Sequence, residues 1–262
     1  MRLRKLALAT GVELHCAELG DENGKAIVFL HGWPDSWFSF SRVAEQLPAG
    51  YRAFLVDQRG FGESDRPRDG YAIQQFANDV AAFLDASSLD RAIVVGHSFG
   101  TFVARALAIA RPNRVERLAL VGTGWTGSNE VTREVLASLE GLTDPVSEEF
   151  AREFQTGTLH APVPEEFFDR LVTESLKLPA RLWRTVFESI VKYDDTQHLA
   201  HIQVPALVIW GDHEALFARD EQHRVVAAIP DARLQIYTDI GHCPNWECPD
   251  RVAADLFRFI SS

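Results

Sequence analysis

The chain has little of what several classes of protein require. It carries three cysteines in 262 residues, Cys16, Cys243 and Cys248. Their spacing fits no metal-ligand pattern, and any disulfide scheme leaves one thiol over. A disulfide framework is therefore not expected, and a reducing compartment, the cytoplasm, is. Positive charge is also scarce: 26 Lys and Arg stand against 37 Asp and Glu, a formal net charge of -11. Nucleic acids and anionic membrane surfaces are gripped by clustered Lys and Arg, so neither is expected as a partner. No apolar run approaches the roughly 20 residues that span a bilayer. The opening MRLRKLALAT is basic, but its apolar stretch is too short for a signal peptide and runs straight into strand-like VELHCAEL. Internal repeats, low-complexity segments, dinucleotide fingerprints and metal-ligand clusters are missing too. The G-F-G of DQRGFGES lacks the pattern of a phosphate loop, so no cofactor and no metal is expected.

What is present is an alternation. Short aliphatic runs, VELHCAEL, AIVFLHG, YRAFLVD, RAIVVGHS, RLALVG, PALVIWGD and RLQIYT, read as strands. Between them SFSRVAEQL, AIQQFANDVAAFLDASS, TFVARALAIA, ARDEQHRVVAAI and DRVAADLFRFI read as helices. Strands that alternate with helices predict an α/β fold, a mostly parallel central sheet flanked by helices. The rhythm breaks once, after Trp125, where four amphipathic segments follow one another with no buried strand between them. The expected organisation is a core of residues 1–124 and 196–262 with a helical cap inserted over 125–195.

The most informative stretch is GHSFG, residues 96–100. It matches the G-x-S-x-G elbow and sits between a strand-like and a helix-like run. Gly96 and Gly100 then remove side chains where strand and helix crowd, and Ser98 projects its hydroxyl from the end of the sheet. The competing reading is an ordinary serine N-cap with glycines for packing.

With HGWPDSW early, DQRGFGES next, GHSFG central, WGDHE late and GHCPNWECPD near the end, the chain resembles the α/β-hydrolase superfamily over nearly its whole length. Its cap-bearing branch of small esterases, lactonases, epoxide hydrolases and dehalogenases is the nearest likeness. The resemblance implies Ser98 as nucleophile and His242, in the loop before the last helix, as its general base. The acid that orients the histidine stands three residues beyond the glycine after strand PALVIW. That position is Glu214, where Asp is commoner, and Asp212 on the strand end is its rival. The oxyanion hole would be the backbone N–H of Phe99 and that of Trp33 in HGWP, Pro34 having none to give. Asp57 and Arg59 of DQRGFGES, together with His31 and His97, read as structural, and His213 and His223 as loop and helix-surface residues.

Trp33, Phe99, Trp37, Trp125, Trp183 and Phe187 are expected at or near the pocket, whose aromatic walls suit an apolar, uncharged small molecule. The implied activity is hydrolysis of a carboxylic ester or lactone through an acyl-enzyme, without cofactor. A serine nucleophile argues against epoxide hydrolases and haloalkane dehalogenases, whose intermediate requires Asp. Carbon–carbon hydrolases of ring-cleavage products share the triad but typically carry a glycine-rich stretch in place of HGWP. A triad-retaining small-molecule receptor is a third reading from a different class.

Overall fold

A computed structural model describes residues 1–261. Eight strands form one sheet in the order β1-β2-β4-β3-β5-β6-β7-β8. They are β1 (Arg2–Ala7), β2 (Glu13–Gly20), β3 (Lys25–Leu30), β4 (Tyr51–Val56), β5 (Ala92–His97), β6 (Val115–Val121), β7 (Ala206–Gly211) and β8 (Ala232–Tyr237). The first three in spatial order pair antiparallel, and the remaining neighbours are parallel. β5 and β7 are buried at every position, as a strand covered on both faces must be, and their unbroken aliphatic runs reflect it.

No element is expected from sequence over the first residues, yet β1 forms there. It is an edge strand with one neighbour, exposed or half-buried throughout, so tertiary pairing with β2 rather than a buried apolar face makes it a strand.

Between the strands run α1 (Ser41–Ala44), α2 (Ile73–Ala86), α3 (Phe99–Ala110), α8 (Arg219–Ala228), α9 (Pro244–Glu247) and α10 (Pro249–Ile260). One apolar layer joins α2, α3 and α8 to a face of the sheet, and a second joins α1 and α10 to the other. α3 is buried over ten of its residues, from Phe99 to Ala108. Burial on nearly every side makes it a core helix rather than a surface one.

The segment between β6 and β7 folds as α4 (Glu130–Ser138), α5 (Glu148–Gly157), α6 (Glu165–Ser175) and α7 (Ala180–Val191). α7 buries Leu182, Trp183, Val186, Phe187 and Ile190, one stripe at helical period. At the end of this insertion Asp195 meets the wholly buried Arg105 of α3. The guanidinium donates through Nε to Asp195 Oδ2 at 3.0 Å and through Nη2 to Oδ1, and it also donates to the carbonyls of Gly124 and Trp125. A buried guanidinium is tolerable only with its donors occupied in this way.

Leaving β3 the chain builds β4 on one side, then returns to place β5 on the other. The carboxyl ends of β3 and β5 therefore flank a topological switch point, where open α/β sheets form their crevices. His31–Pro34 follow one strand and Ser98 the other. Among the described residues no helix is long and apolar enough to cross a membrane.

Candidate active site

Ser98 stands at φ 48 and ψ -118, backbone that a side-chain-bearing residue rarely adopts. Its amide extends the β5–β6 ladder to Val121 O at 2.9 Å, and its carbonyl accepts from the Thr101 amide at 2.8 Å. Strand thus turns into helix within one residue. The turn needs both glycines: a Cβ at Gly96 would collide with Gly100 O, and one at Gly100 with Leu30 O. The Ser98 side chain makes no capping bond to α3. It lines a cavity instead, which disposes of the N-cap reading.

His242 lines the same cavity and is 3% exposed. Its Nδ1–H donates to Glu214 Oε2 at 2.6 Å. Glu214 is fully buried at its side chain, and its other oxygen accepts from the Leu216 amide at 2.8 Å. With the proton held on Nδ1, Nε2 is the free acceptor of the neutral ring. Gly122, at φ +61, clears the ring's path, since a Cβ there would approach His242 Cε1 to 3.2 Å. Asp212 plays another part: its Oδ1 accepts from the Asp239 amide at 2.7 Å, which braces the loop after β8. Geometry therefore joins Glu214, and not Asp212, to the imidazole.

Phe99 opens α3, so its amide is among the first-turn N–H groups that have no intrahelical carbonyl. The amide of Trp33 has no acceptor among the described residues. Two unengaged donors thus lie at the ends of β3 and β5.

A polar layer supports these loops. His31 is buried and kept neutral by that burial; its Nδ1–H donates to Gly32 O at 2.6 Å, and its Nε2 accepts from the Gln58 amide at 3.1 Å. Asp57 accepts from His15 Nδ1 at 2.7 Å and from the amides of Trp37 and Glu63. Burial would raise its pKa, but the His15 bond and the two amides together hold it below the usual carboxylate value. Arg59 is paired with Asp79 at 2.5 Å. Behind the elbow, burial and then the neighbouring His242 hold His97 well below the usual histidine value; its Nε2–H donates to His242 O at 3.2 Å. Asp35 lies 3.8 Å from the His97 Nδ1. Burial pushes its carboxyl up to about 7, against the opposing hydrogen bond from Gln155 Nε2 at 2.9 Å.

The aromatic expectations divide. Trp33 and Phe187 line the cavity with Ser98 and His242. Trp183 does not: it is wholly buried behind Trp33, ring centroids 5.1 Å apart, with its indole N–H on Leu178 O. Trp125 lies under the guanidinium of Arg224 at 4.3 Å, outside the cavity. Trp37 packs edge-on to His15 and against the opposite layer of the sheet. The Phe99 ring, expected to be free for the pocket, is buried between Phe61 and Phe76. Each of these rings follows its own backbone, and adjacent motif residues point to different sides.

The remaining cavity wall consists of Phe102, Thr132, Phe154, Thr158, Ile190, Leu216 and Phe217. Most of these carry no motif, and Leu216 and Phe217 are reachable from sequence only through their nearness to Glu214. Among the described residues no cationic side chain borders the cavity, and its free space is about 20 Å³, little more than one water occupies. Phe154, Thr158 and Leu216 separate it from a larger outer cleft of about 370 Å³ between α4, α5 and the Ala215–Leu216 loop. Glu153 is the charged residue on that cleft.

Comparison with known proteins agrees with this architecture. A sequence model described as the alpha/beta hydrolase fold matches residues 25–249. A 2-hydroxy-6-oxononadienedioate/2-hydroxy-6-oxononatrienedioate hydrolase of Pseudomonas putida is 31% identical over 252 residues, 90% of this chain and 87% of that protein. Among solved structures, an esterase from Exiguobacterium antarcticum superposes with TM-score 0.90 at 20% identity, over 98% of this chain and 99% of that one. An enol-lactonase from Burkholderia xenovorans gives 0.86 at 23% identity, over 99% and 100%. At such identities the superpositions speak for the fold alone.

Proposed function

The chain belongs to the alpha/beta hydrolase fold family, and from that premise we propose that it is a serine hydrolase acting on a carboxylic ester or lactone of an apolar, uncharged small molecule. One observation carries the reading: apart from Thr132 and Thr158, the described wall of the cavity shared by Ser98 and the Glu214-bound His242 is apolar and carries no cationic side chain.

A serine hydroxyl is a weak nucleophile until a base takes its proton. In the proposed reaction His242 Nε2 removes that proton as Ser98 Oγ attacks the substrate carbonyl. Glu214 keeps the ring in the required tautomer and stabilises its cation. The amides of Trp33 and Phe99 receive the oxyanion, where fixed dipoles act more strongly than in water. The imidazolium then protonates the departing alcohol. Water, deprotonated by the same histidine, cleaves the acyl-enzyme and restores Ser98. The inserted helices α4–α7 serve as the cap that shapes the acyl site, and small displacements of Phe154 and Leu216 admit substrate from the outer cleft.

The relative from P. putida favours a second reading, cleavage of a carbon–carbon bond in a ring-fission product. The substrate in that protein's name is a dioate. Two carboxylates brought into this cavity would lose hydration without gaining a cation, which is strongly unfavourable. That contrast is why the ester reading is preferred.

The deciding experiment is a panel of aryl esters, alkyl esters, lactones and a ring-fission diketone dioate, assayed on the wild type and on Ser98→Ala. Multiple turnovers of neutral esters or lactones that fall by about 10⁵-fold or more in the variant support the proposal. Turnover of the dioate alone would establish the carbon–carbon reaction. Ester hydrolysis unchanged in Ser98→Ala would refute the serine mechanism.

A further inference from the structure

His160, His213 and Asp239 belong to three separate loops and carry no recognisable spacing in sequence. The fold nevertheless gathers them at the protein surface, each with a ligand atom within 4.8 Å of the other two. His160 lies between α5 and α6, in the insertion. His213 follows β7 and Asp239 follows β8, in the core. The two imidazoles stack nearly parallel, 4° between planes and 3.6 Å between centroids, and His213 Nε2 lies 3.7 Å from Asp239 Oδ1.

The backbones beneath these side chains are tied down. The His160 amide donates to Glu247 Oε2 at 3.1 Å. The His213 amide donates to Ile240 O at 2.9 Å, and the Asp239 amide to Asp212 Oδ1 at 2.7 Å. All three side chains are exposed.

We propose that these residues form a binding site for a divalent transition-metal ion of the zinc type, joining the insertion to the loops after β7 and β8. Two neutral imidazoles and one carboxylate are the borderline donor set that selects zinc, nickel or copper over magnesium or calcium. Around tetrahedral zinc, donor atoms lie about 3.3 Å apart at bond lengths of about 2.0–2.1 Å, and water fills the fourth position. Reaching that geometry takes rotation of the stacked rings and a closing movement of an ångström or so, without displacement of the anchored backbone. Asp212 Oδ1, 4.0 Å from His213 Nε2, is placed to accept a hydrogen bond from the bound water. The site owes nothing to the chemistry proposed for Ser98.

The test is calorimetric titration of the tag-free, chelator-treated full chain with zinc chloride, alongside His160→Gln and Asp239→Asn. The second histidine pair, His198 and His201, is exposed with centroids 5.7 Å apart and serves as control in the double variant His198→Gln/His201→Gln. One equivalent of zinc is expected to bind the wild type and the control alike and to raise the thermal midpoint. Each site variant should weaken binding by at least about tenfold, since even outer partners of a metal site are worth about 10–100-fold. Copper(II) spin resonance should show two nitrogen ligands in the wild type and one in His160→Gln. No binding at millimolar zinc, or binding abolished in the control and intact in the site variants, would overturn the proposal.

Discussion

The loops at the carboxyl edge of the sheet and the helices inserted above them solve opposite problems. The edge holds polar groups in fixed positions: His31, Asp57, His97 and Arg59 are all buried, and each is held by backbone or by a charged partner. Glycines do the rest, at positions 96, 100 and 122, where no side chain fits. The insertion positions its elements by apolar packing instead. Trp33 of the core meets Phe154, Trp183 and Phe187 of the insertion at centroid distances of 4.5–5.1 Å. Directional bonds set atoms to fractions of an ångström, as proton transfer requires, whereas ring packing tolerates rearrangement. In the proposed reaction, the chemistry would reside in the edge and the selection of substrate in the insertion.

Several substitutions would sharpen or break this division, and the largest effect belongs to the edge. Glu214→Gln should lower kcat by about 10⁴-fold because the imidazole loses its tautomeric control. Asp212→Asn should change kcat by less than about tenfold, because its loss touches only a loop brace. Steady-state kinetics on one ester compares the two; the reverse order would move the acid to Asp212.

The next effect falls on the joint between the regions. Arg105→Met leaves Asp195 buried and unpaired and should cost about 3–5 kcal/mol in denaturant unfolding. A loss below about 1 kcal/mol would mean that the Arg105–Asp195 pair contributes little to holding the two regions together.

Below that comes a pH effect at Asp35. Its carboxyl, ordinarily near 3.8, keeps its proton in the folded chain up to about 7. The folded state therefore binds more protons than the unfolded one across that window. The associated stability is present below the unfolded value and is lost as pH rises through the folded one. Asp35→Asn, a neutral isostere, should flatten the decline and leave the variant more stable than wild type at pH 8 by about 2–4 kcal/mol. Parallel urea titrations at pH 5 and pH 8 measure it; equal slopes in the two proteins would contradict the assignment.

The insertion should give smaller effects. Phe154→Ala thins the wall between cavity and outer cleft and should raise the ratio of kcat/KM for bulky over small esters by about tenfold. Glu153→Lys reverses the charge on the cleft and should improve monoanionic esters by about two- to fivefold, an advantage that fades at high salt. Should Glu153→Lys outweigh Phe154→Ala, charge rather than wall shape would govern entry.

How much of this was legible in the linear chain depends on how local the constraint is. The seven expected strands, the four inserted helices and the elbow all appear, because aliphatic runs, helical periodicity and paired glycines act within a few residues. β1 was illegible because an exposed edge strand is made by its neighbour. Trp37, Trp125 and Trp183 share the composition of pocket residues, but whether a ring faces a cavity depends on elements remote in the chain.

The alternation of strand and helix and the strained turn at Ser98 follow from the sequence alone, since local sterics and hydrophobic period leave few other outcomes. The sequence put Glu214 ahead of Asp212, and the tertiary structure set Glu214 against His242; only the tertiary structure joined Arg105 to Asp195 and brought His160, His213 and Asp239 to one place. Those are meetings between residues 26 to 90 positions apart. Chain closure over such lengths is decided by the packing of the whole fold, which no short window encodes.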